Sequence, residues 1–431
     1  MLSNKTEFLD KLKSDRLVVG YELGDEMSQI SYCYLKDSEP QTISVTAGVE
    51  QYSIPTVLCK RHHMGQWYYG KEALRQVGQN EGILLDHLLE LAVRGEKVTV
   101  EDTTVDPVAL LTLFVKRSLT LLSGIASWEQ VEALMFTCEN LDQRMIDILT
   151  QVAAGLGLKN KKILFQSHKE SFYYYMLYQP KELWNHEVLL FDYRQEKLRL
   201  YRLECNKKTT PVVVYIETEE LSLPGMDRTG EAALEERDRQ FLELAQDHCR
   251  GRLISAVYLI GDGFKDDWMK ESLRFLCQGR RVFRGNNLYS KGACLGIREK
   301  LHPTEAGKET VFLGEEKLKA NIGMQVRRRG EESYYALLDA GVNWFDASKE
   351  CEFLLEKDAS FELRVTPLTG KEIKLVEIIL DGLQIPQEGF VRIHMELKLK
   401  DENTVVLSLQ DVGFGELLES SGRSWTEEFR V

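Results

Sequence analysis

From about residue 17 to residue 300 the chain alternates short, nearly continuous apolar runs with longer amphipathic ones, and this rhythm confines it to an α/β architecture. The apolar runs are Leu17–Leu23, Gln29–Leu35, Val131–Thr137, Val188–Asp192, Leu198–Leu203, Val212–Ile216 and Ala256–Ile260. Several lack a polar face, which predicts strands buried on both sides. Helical periods lie between them. Asp106–Leu122 opens with an N-cap aspartate and a proline at the first helical position. It then places Leu110, Leu111, Phe114, Val115, Leu119 and Leu122 on one face. Asp142–Leu156 repeats the logic with Met145, Ile146, Leu149 and Val152, and Thr229–Arg250 is a third helix with Glu and Arg outward.

After Gly296 the texture changes. His302–Thr310 (HPTEAGKET) is polar with proline and glycine and reads as a linker. From Val311 to Leu418 short strands alternate with turns: Ser333–Leu338, Glu352–Leu355, Ser360–Val365, Lys374–Leu380, Val391–Lys398 and Val405–Leu409. That pattern predicts an all-β sandwich. The expected organisation is an α/β domain over 1–300, a linker over 301–311, a sandwich over 312–420 and a tail over 421–431.

Charge and cysteine usage narrow the function classes. The 431 residues carry a net charge of −13, spread along the chain. Counterion release therefore gives little drive towards nucleic acid, and an anionic membrane repels such a surface. Met1–Arg16 has no apolar core of a signal peptide, and no run of 18 uncharged apolar residues predicts membrane insertion. The 8 cysteines are scattered without a Cys-x-x-Cys pair, which favours reduced thiols and a cytoplasmic location.

Four segments, in order, resemble the actin-type ATPase fold as used by the DnaK-type heat-shock protein 70 chaperones. Val19-Gly-Tyr-Glu-Leu-Gly24 with Asp25-Glu-Met-Ser28 resembles that family's first phosphate hairpin. Ser53-Ile-Pro-Thr-Val-Leu58, followed by Trp67-Tyr-Tyr-Gly-Lys-Glu-Ala73, is similar to its Ile-Pro-Ser strand and the helix behind it. Leu134-Met-Phe-Thr137, residues 140–158 and residues 163–178 resemble its strand, helix, strand and linking helix. Val257-Tyr-Leu-Ile-Gly-Asp-Gly-Phe264 and Leu288-Tyr-Ser-Lys-Gly-Ala-Cys-Leu-Gly296 resemble its adenosine turn and following helix. Asn321-Ile-Gly-Met, Ile379–Pro386 and Val391–Gly413 look like strands of the chaperone substrate-binding sandwich, while its helical lid has no counterpart before Val431. The resemblance implies an actin-like core of two duplicated, ribonuclease H-like subdomains, one of them reduced, followed by the sandwich. It implies Gly20, Glu22, Gly24, Asp25, Asp192, Gly261 and Gly263 as vestigial nucleotide-binding positions. It also implies Met324, Val326 and Phe353 as a peptide-binding surface.

The departures from the family carry the functional reading. The family has a carboxylate, a glycine and two hydroxyl residues in its first hairpin; here Glu22 is one methylene longer and Asp25-Glu26 replaces the hydroxyls. Carboxylates beside a triphosphate repel it unless magnesium intervenes. The second cradle, Asp-x-Gly-Gly-Gly-Thr in the family, is Asp192-Tyr-Arg-Gln-Glu-Lys197, with the acid kept and no glycine to let a phosphate approach. The family's lysine falls near Leu74–Arg75. Asp192 and Gly261 are 69 residues apart, about half the family's span, which removes the subdomain that closes over adenine.

The expected protein is therefore a pseudo-ATPase with no catalytic residues, no metal and no cofactor, acting as a scaffold for a protein or peptide partner. One alternative is an active chaperone using ATP and Mg; another is a bacterial actin-like assembly protein. Arg61-His62-His63 and His168 read as loop and helix-start polar residues. Phe172–Tyr178 reads as the core stripe of a central helix, and no Gly-x-Ser-x-Gly elbow points to a hydrolase.

Overall fold

In the computed structural model, which describes residues 16–46, 48–158, 162–194, 197–223, 230–368, 372–385, 389–415 and 419–431, the apolar runs before residue 300 form two mixed sheets. Met1–Asp15, Gln195, Glu196, Thr229, Pro386 and 416–418, named above, lie outside the described residues. The first sheet runs Lys162–Ser167, Val131–Cys138, Leu17–Glu22, Met27–Tyr34, Gln41–Thr42. The second runs Arg281–Arg284, Ile254–Ile260, Glu187–Arg194, Lys197–Asn206, Val212–Leu221. In both, the central strand pairs antiparallel with the strand that follows it and parallel with a later one. The next strands outward repeat those directions. One topology thus occurs twice, without a repeat in the residues.

Alternation along each central strand divides its side chains between two layers. Val18, with Cys33, Ala133 and Met135, packs on Ala293, Cys294 and Ile297 of the helix Leu288–Leu301. Gly20 shares that face, and the helix crosses so close that a Cβ there would meet the Ser290 carbonyl at 2.2 Å. On the second sheet Leu189, Phe191 and Tyr193 pack on Phe241, Ala245 and Cys249 of the helix Glu231–Cys249. Its Tyr258 meets Phe172 and Tyr175 of the helix His168–Leu177. That helix is buried around most of its circumference, and Gly292 lets Leu288–Leu301 approach its Ser171 backbone. Two central helices therefore pack on each other, and each rests on one sheet.

The helix starts follow their sequence signals. Asp106 accepts the Val108 N–H with Pro107 next in line, and Asp142 accepts the Met145 N–H at 2.8 Å. Pro107–Gly124 is the one described stretch long and apolar enough by composition to cross a membrane, yet Leu110, Leu111, Phe114 and Val115 are buried in the core.

The chain divides into compact units between Thr310 and Val311. The segment expected as a linker holds instead the short helix Glu305–Glu309, because Thr304 caps it by accepting the Gly307 N–H at 3.0 Å. The second unit is all β, with two four-stranded antiparallel sheets. One runs Glu331–Leu338, Ala320–Arg328, Ser360–Pro367, Lys374–Ile379. The other runs Ser348–Leu355, Val391–Leu399, Thr404–Asp411, Ser424–Arg430. Val391, Ile393, Met395, Leu397 and Leu399 are buried and alternate with wetter residues, the pattern of a sheet with one face on a core. The expected tail over 421–431 is a strand, since Ser424–Arg430 completes the ladder along Thr404–Asp411.

Candidate functional site

Glu22 and Asp192 lie at the carboxyl-terminal ends of the two equivalent central strands. Glu22 shares the face of Val18 and Gly20, so it points at the start of the helix Leu288–Leu301, where the Ser290 N–H donates to it. Asp192 points the same way and accepts a hydrogen bond from the Tyr289 hydroxyl at 3.1 Å. Both acids are buried, at 1% and 7% exposure.

Arg194 joins them. Two residues beyond Asp192 on the same strand, it projects to the same side and reaches both carboxylates. Its Nη1 donates to Glu22 Oε1 at 2.8 Å and its Nε donates to Asp192 Oδ1 at 2.9 Å. The guanidinium also lies over the Tyr289 ring at 5.5 Å, and His168 stacks on that ring at 4.0 Å. Burial pushes Glu22 and Asp192 above the usual carboxylate range, and Arg194 partly offsets this for both. The two acids hold the guanidinium protonated. Burial, with the charges of Arg194 and Arg199, keeps His168 well below its usual value, so its imidazole is neutral.

The space in front of this cluster is about 250 Å³ and is lined by Gly24, Asp25, Glu139, His168, Arg199 and Gly261, among others. Gly24, Asp25, Asp192 and Gly261 thus meet at one cleft, and Glu22 sits behind Arg194. Gly20 and Gly263 do not line it. Gly20 is a crossing point of strand and helix, and Gly263 packs on the Tyr193 ring. Gly261 adopts a φ of +97° at its turn. Asp25 is turned aside: it accepts from the Glu90 N–H at 2.9 Å and pairs with His87 at 2.6 Å, which raises the His87 pKa. Arg75 pairs with Glu72 on an exposed helix face instead of entering the cleft.

The position between the acids is filled by a side chain of the protein itself, and Arg199 is paired with Glu139 at 2.8 Å. The cavity lies below the roughly 300–1,000 Å³ usual for small-molecule sites. Among the described residues, Asp25, His87 and Glu90 bring three potential metal-ligating atoms within 4.8 Å, and the hydrogen bonds that seat the helix Leu88–Arg94 account for that set.

A second cavity, about 700 Å³, lies in residues 311–431. Met324, Val326 and Phe353 all line it, with Tyr335, Cys351, Leu355 and Phe361. Met324 is buried, Val326 and Phe353 are half-buried, and Phe353 meets Phe361 edge to face at 5.0 Å. The two aromatic residues come from strands of different sheets, so the cavity opens between sheet ends. Arg327 and Glu356, 3.5 Å apart, stand among its charged rim residues.

Arg194 is the cleft residue that sequence reasoning missed. It stood there only within Asp192-Tyr-Arg-Gln-Glu-Lys197 as part of a cradle without glycine, although an arginine two positions from an acid on a strand already implies a shared face.

Comparison with known proteins agrees with the division of the chain. Residues 317–431 match a domain of unknown function, DUF8552. No curated protein matches the chain. Residues 39–315, more than half of the sequence, match the C-terminal model of a family of unknown function, and the chain therefore belongs to that family, DUF5716.

Proposed function

We propose that the first unit is a divergent actin-like core of the heat-shock-70 kind that neither binds nor hydrolyses ATP, and that the protein is a cytoplasmic scaffold for a protein or peptide partner. The observation that carries this reading is Arg194, bonded to Glu22 and Asp192 at 2.8 and 2.9 Å. It places a fixed positive charge between the two acids that end the equivalent strands. The twice-used sheet topology supports the fold, because an actin-like core is built from two such halves. The cavity around Met324, Val326 and Phe353 supports the partner class: an apolar floor under a charged rim suits an extended segment with apolar side chains.

Thermal melting of the full chain with and without Mg-ATP tests the reading. A ligand at a hundredfold its dissociation constant adds about 2.7 kcal/mol and moves the transition visibly. The expected result is an unchanged melting curve and no release of phosphate. A rise in Tm with turnover would establish the ATP-dependent chaperone instead. Nucleotide-dependent light scattering would establish the assembly protein.

A further inference from the structure

Cys33 and Cys294 are neighbours in the buried cluster between the first sheet and the helix Leu288–Leu301, where each sulfur perturbs the other's titration. Cys33 lies on the strand Met27–Tyr34 opposite Val18, and Cys294 lies on the helix Leu288–Leu301. The close crossing at Gly20 brings that helix down, so that the Cys294 thiol also reaches the Val18 carbonyl at 3.4 Å. The residues are 1% and 0% exposed.

A third residue gives the pair polarity. Arg298, one helical turn after Cys294, donates Nη1 to Cys33 Sγ at 3.2 Å and to the Asp37 carbonyl at 2.7 Å. Its guanidinium lies over the Tyr178 ring at 4.6 Å. The Cys33 thiol also donates towards the Tyr34 carbonyl at 3.4 Å, and the Arg298 cation aimed at the same sulfur is the group placed to hold it once it loses its proton. The hydrogen bond from Cys294 and the charge of Arg298 lower the Cys33 thiol to about 7, against burial and the Asp37 carboxylate. Burial and the neighbouring sulfur push Cys294 well up. One sulfur is thus suited to attack and the other to remain a thiol until it resolves the product.

We infer that Cys33 and Cys294 are a redox-active pair that closes reversibly to an intramolecular disulfide when a hydroperoxide is the oxidant. The Cys33 thiolate attacks a peroxide oxygen, the O–O bond breaks, and with one proton the leaving oxygen departs as water, giving a sulfenic acid on Cys33. The Cys294 sulfur then attacks the Cys33 sulfur, the S–O bond breaks, and the hydroxyl takes the Cys294 proton to leave as a second water. Two thiols and one peroxide become one disulfide and two waters, with two electrons passing to the peroxide. The reaction requires access under the turn after the strand. The Cys33 sulfur lies 3.7 Å from the Asp37 carbonyl, and Lys36, Ser38 and Glu39 around it are exposed. Hydrogen peroxide is close to water in size, so a small opening of that turn admits it.

The full chain treated with hydrogen peroxide, followed by intact mass and disulfide mapping, decides the matter. The expected product has lost two hydrogen atoms, carries a Cys33–Cys294 linked peptide and returns to the starting mass with dithiothreitol. In Cys294→Ser the reaction stops at a Cys33 sulfenic acid that dimedone traps. In Arg298→Gln the pH midpoint of disulfide formation moves upward from that of the native chain, and Arg298→Lys restores part of it. Cys277 is exposed and serves as the internal standard for oxidant delivered. Recovery of Cys33 and Cys294 as free thiols after Cys277 has been fully oxidised would overturn the inference, as would cross-linking of either to any other cysteine.

Discussion

The two cavities differ in what occupies their centres. In the cleft of the first unit, Arg194, Tyr289 and His168 gather around two buried acids, so that the protein's own groups meet one another. In the cavity of the second unit the central groups are apolar and half-buried, and the charges stand at the rim. A site whose polar groups are mutually bonded gains little by admitting a ligand, since each new contact must displace an old one. A site that leaves apolar side chains part-wet gains by covering them, at roughly 25 cal/mol per Å² of apolar surface. The contrast supports the proposal that a partner is held at the larger cavity.

The variant that presses hardest on this contrast is Arg194→Met, which keeps much of the stem and removes the charge. Breaking a buried ion pair costs about 3–5 kcal/mol, and the lower end applies because the Arg194 side chain is 31% exposed. The loss should depend on pH in a set direction. Burial already raises Glu22 and Asp192, and without Arg194 both rise further. A carboxyl raised in the folded state binds more protons there than when unfolded, so stability falls as pH climbs from the ordinary carboxylate value through the folded one. The deficit of the variant is expected to be largest near neutrality and to shrink towards pH 5. Urea titrations of native and variant chains at several pH values measure it. A deficit under 1 kcal/mol, or one that grows in acid, would show that the cleft is not closed by this contact.

The opposite variant, Phe353→Ala, acts on the other cavity. Full truncation of a buried phenylalanine costs about 3–5 kcal/mol, and a half-buried one about half of that. The more telling readout is anisotropy of a labelled extended peptide with apolar side chains, where a loss of tenfold or more in affinity is expected. Unchanged affinity would separate the cavity from any binding role.

The fold was legible where local chemistry dictates it. Asp106-Pro107 and Asp142 mark helix starts by satisfying free N–H groups, and Val188–Asp192 reads as a buried strand because every residue in its first part is apolar. The Thr304 cap was obscured by proline and glycine on either side, which made His302–Thr310 read as a loop. Ser424–Arg430 was obscured because an edge strand with charged residues lacks an apolar run, although Trp425 and Phe429 fall on alternate positions. The cleft divides in the same way. Glu22 and Asp192 near strand ends, and Gly24 and Gly261 just beyond strands, have a spacing that is visible in the residues. Arg194 reaches Glu22 across 172 positions, and nothing local records such a contact. The repeated sheet topology is equally silent, because pairing order is a property of the assembled strands.

The smallest predicted effect concerns the rim of the larger cavity. Arg327 and Glu356 are 59% and 44% exposed and 3.5 Å apart, so water and salt screen most of their attraction. Arg327→Ala should change stability by less than about 0.5 kcal/mol. Its effect on binding is of a different kind. If the proposed peptide enters past this pair, removing one partner should quicken association while leaving the apolar floor, and hence dissociation, nearly unchanged. Stopped-flow mixing with the same labelled peptide separates the two rates. A slower association in the variant would mean that Arg327 attracts the segment instead of obstructing it, and would turn the contrast between the cavities from one of closure into one of charge.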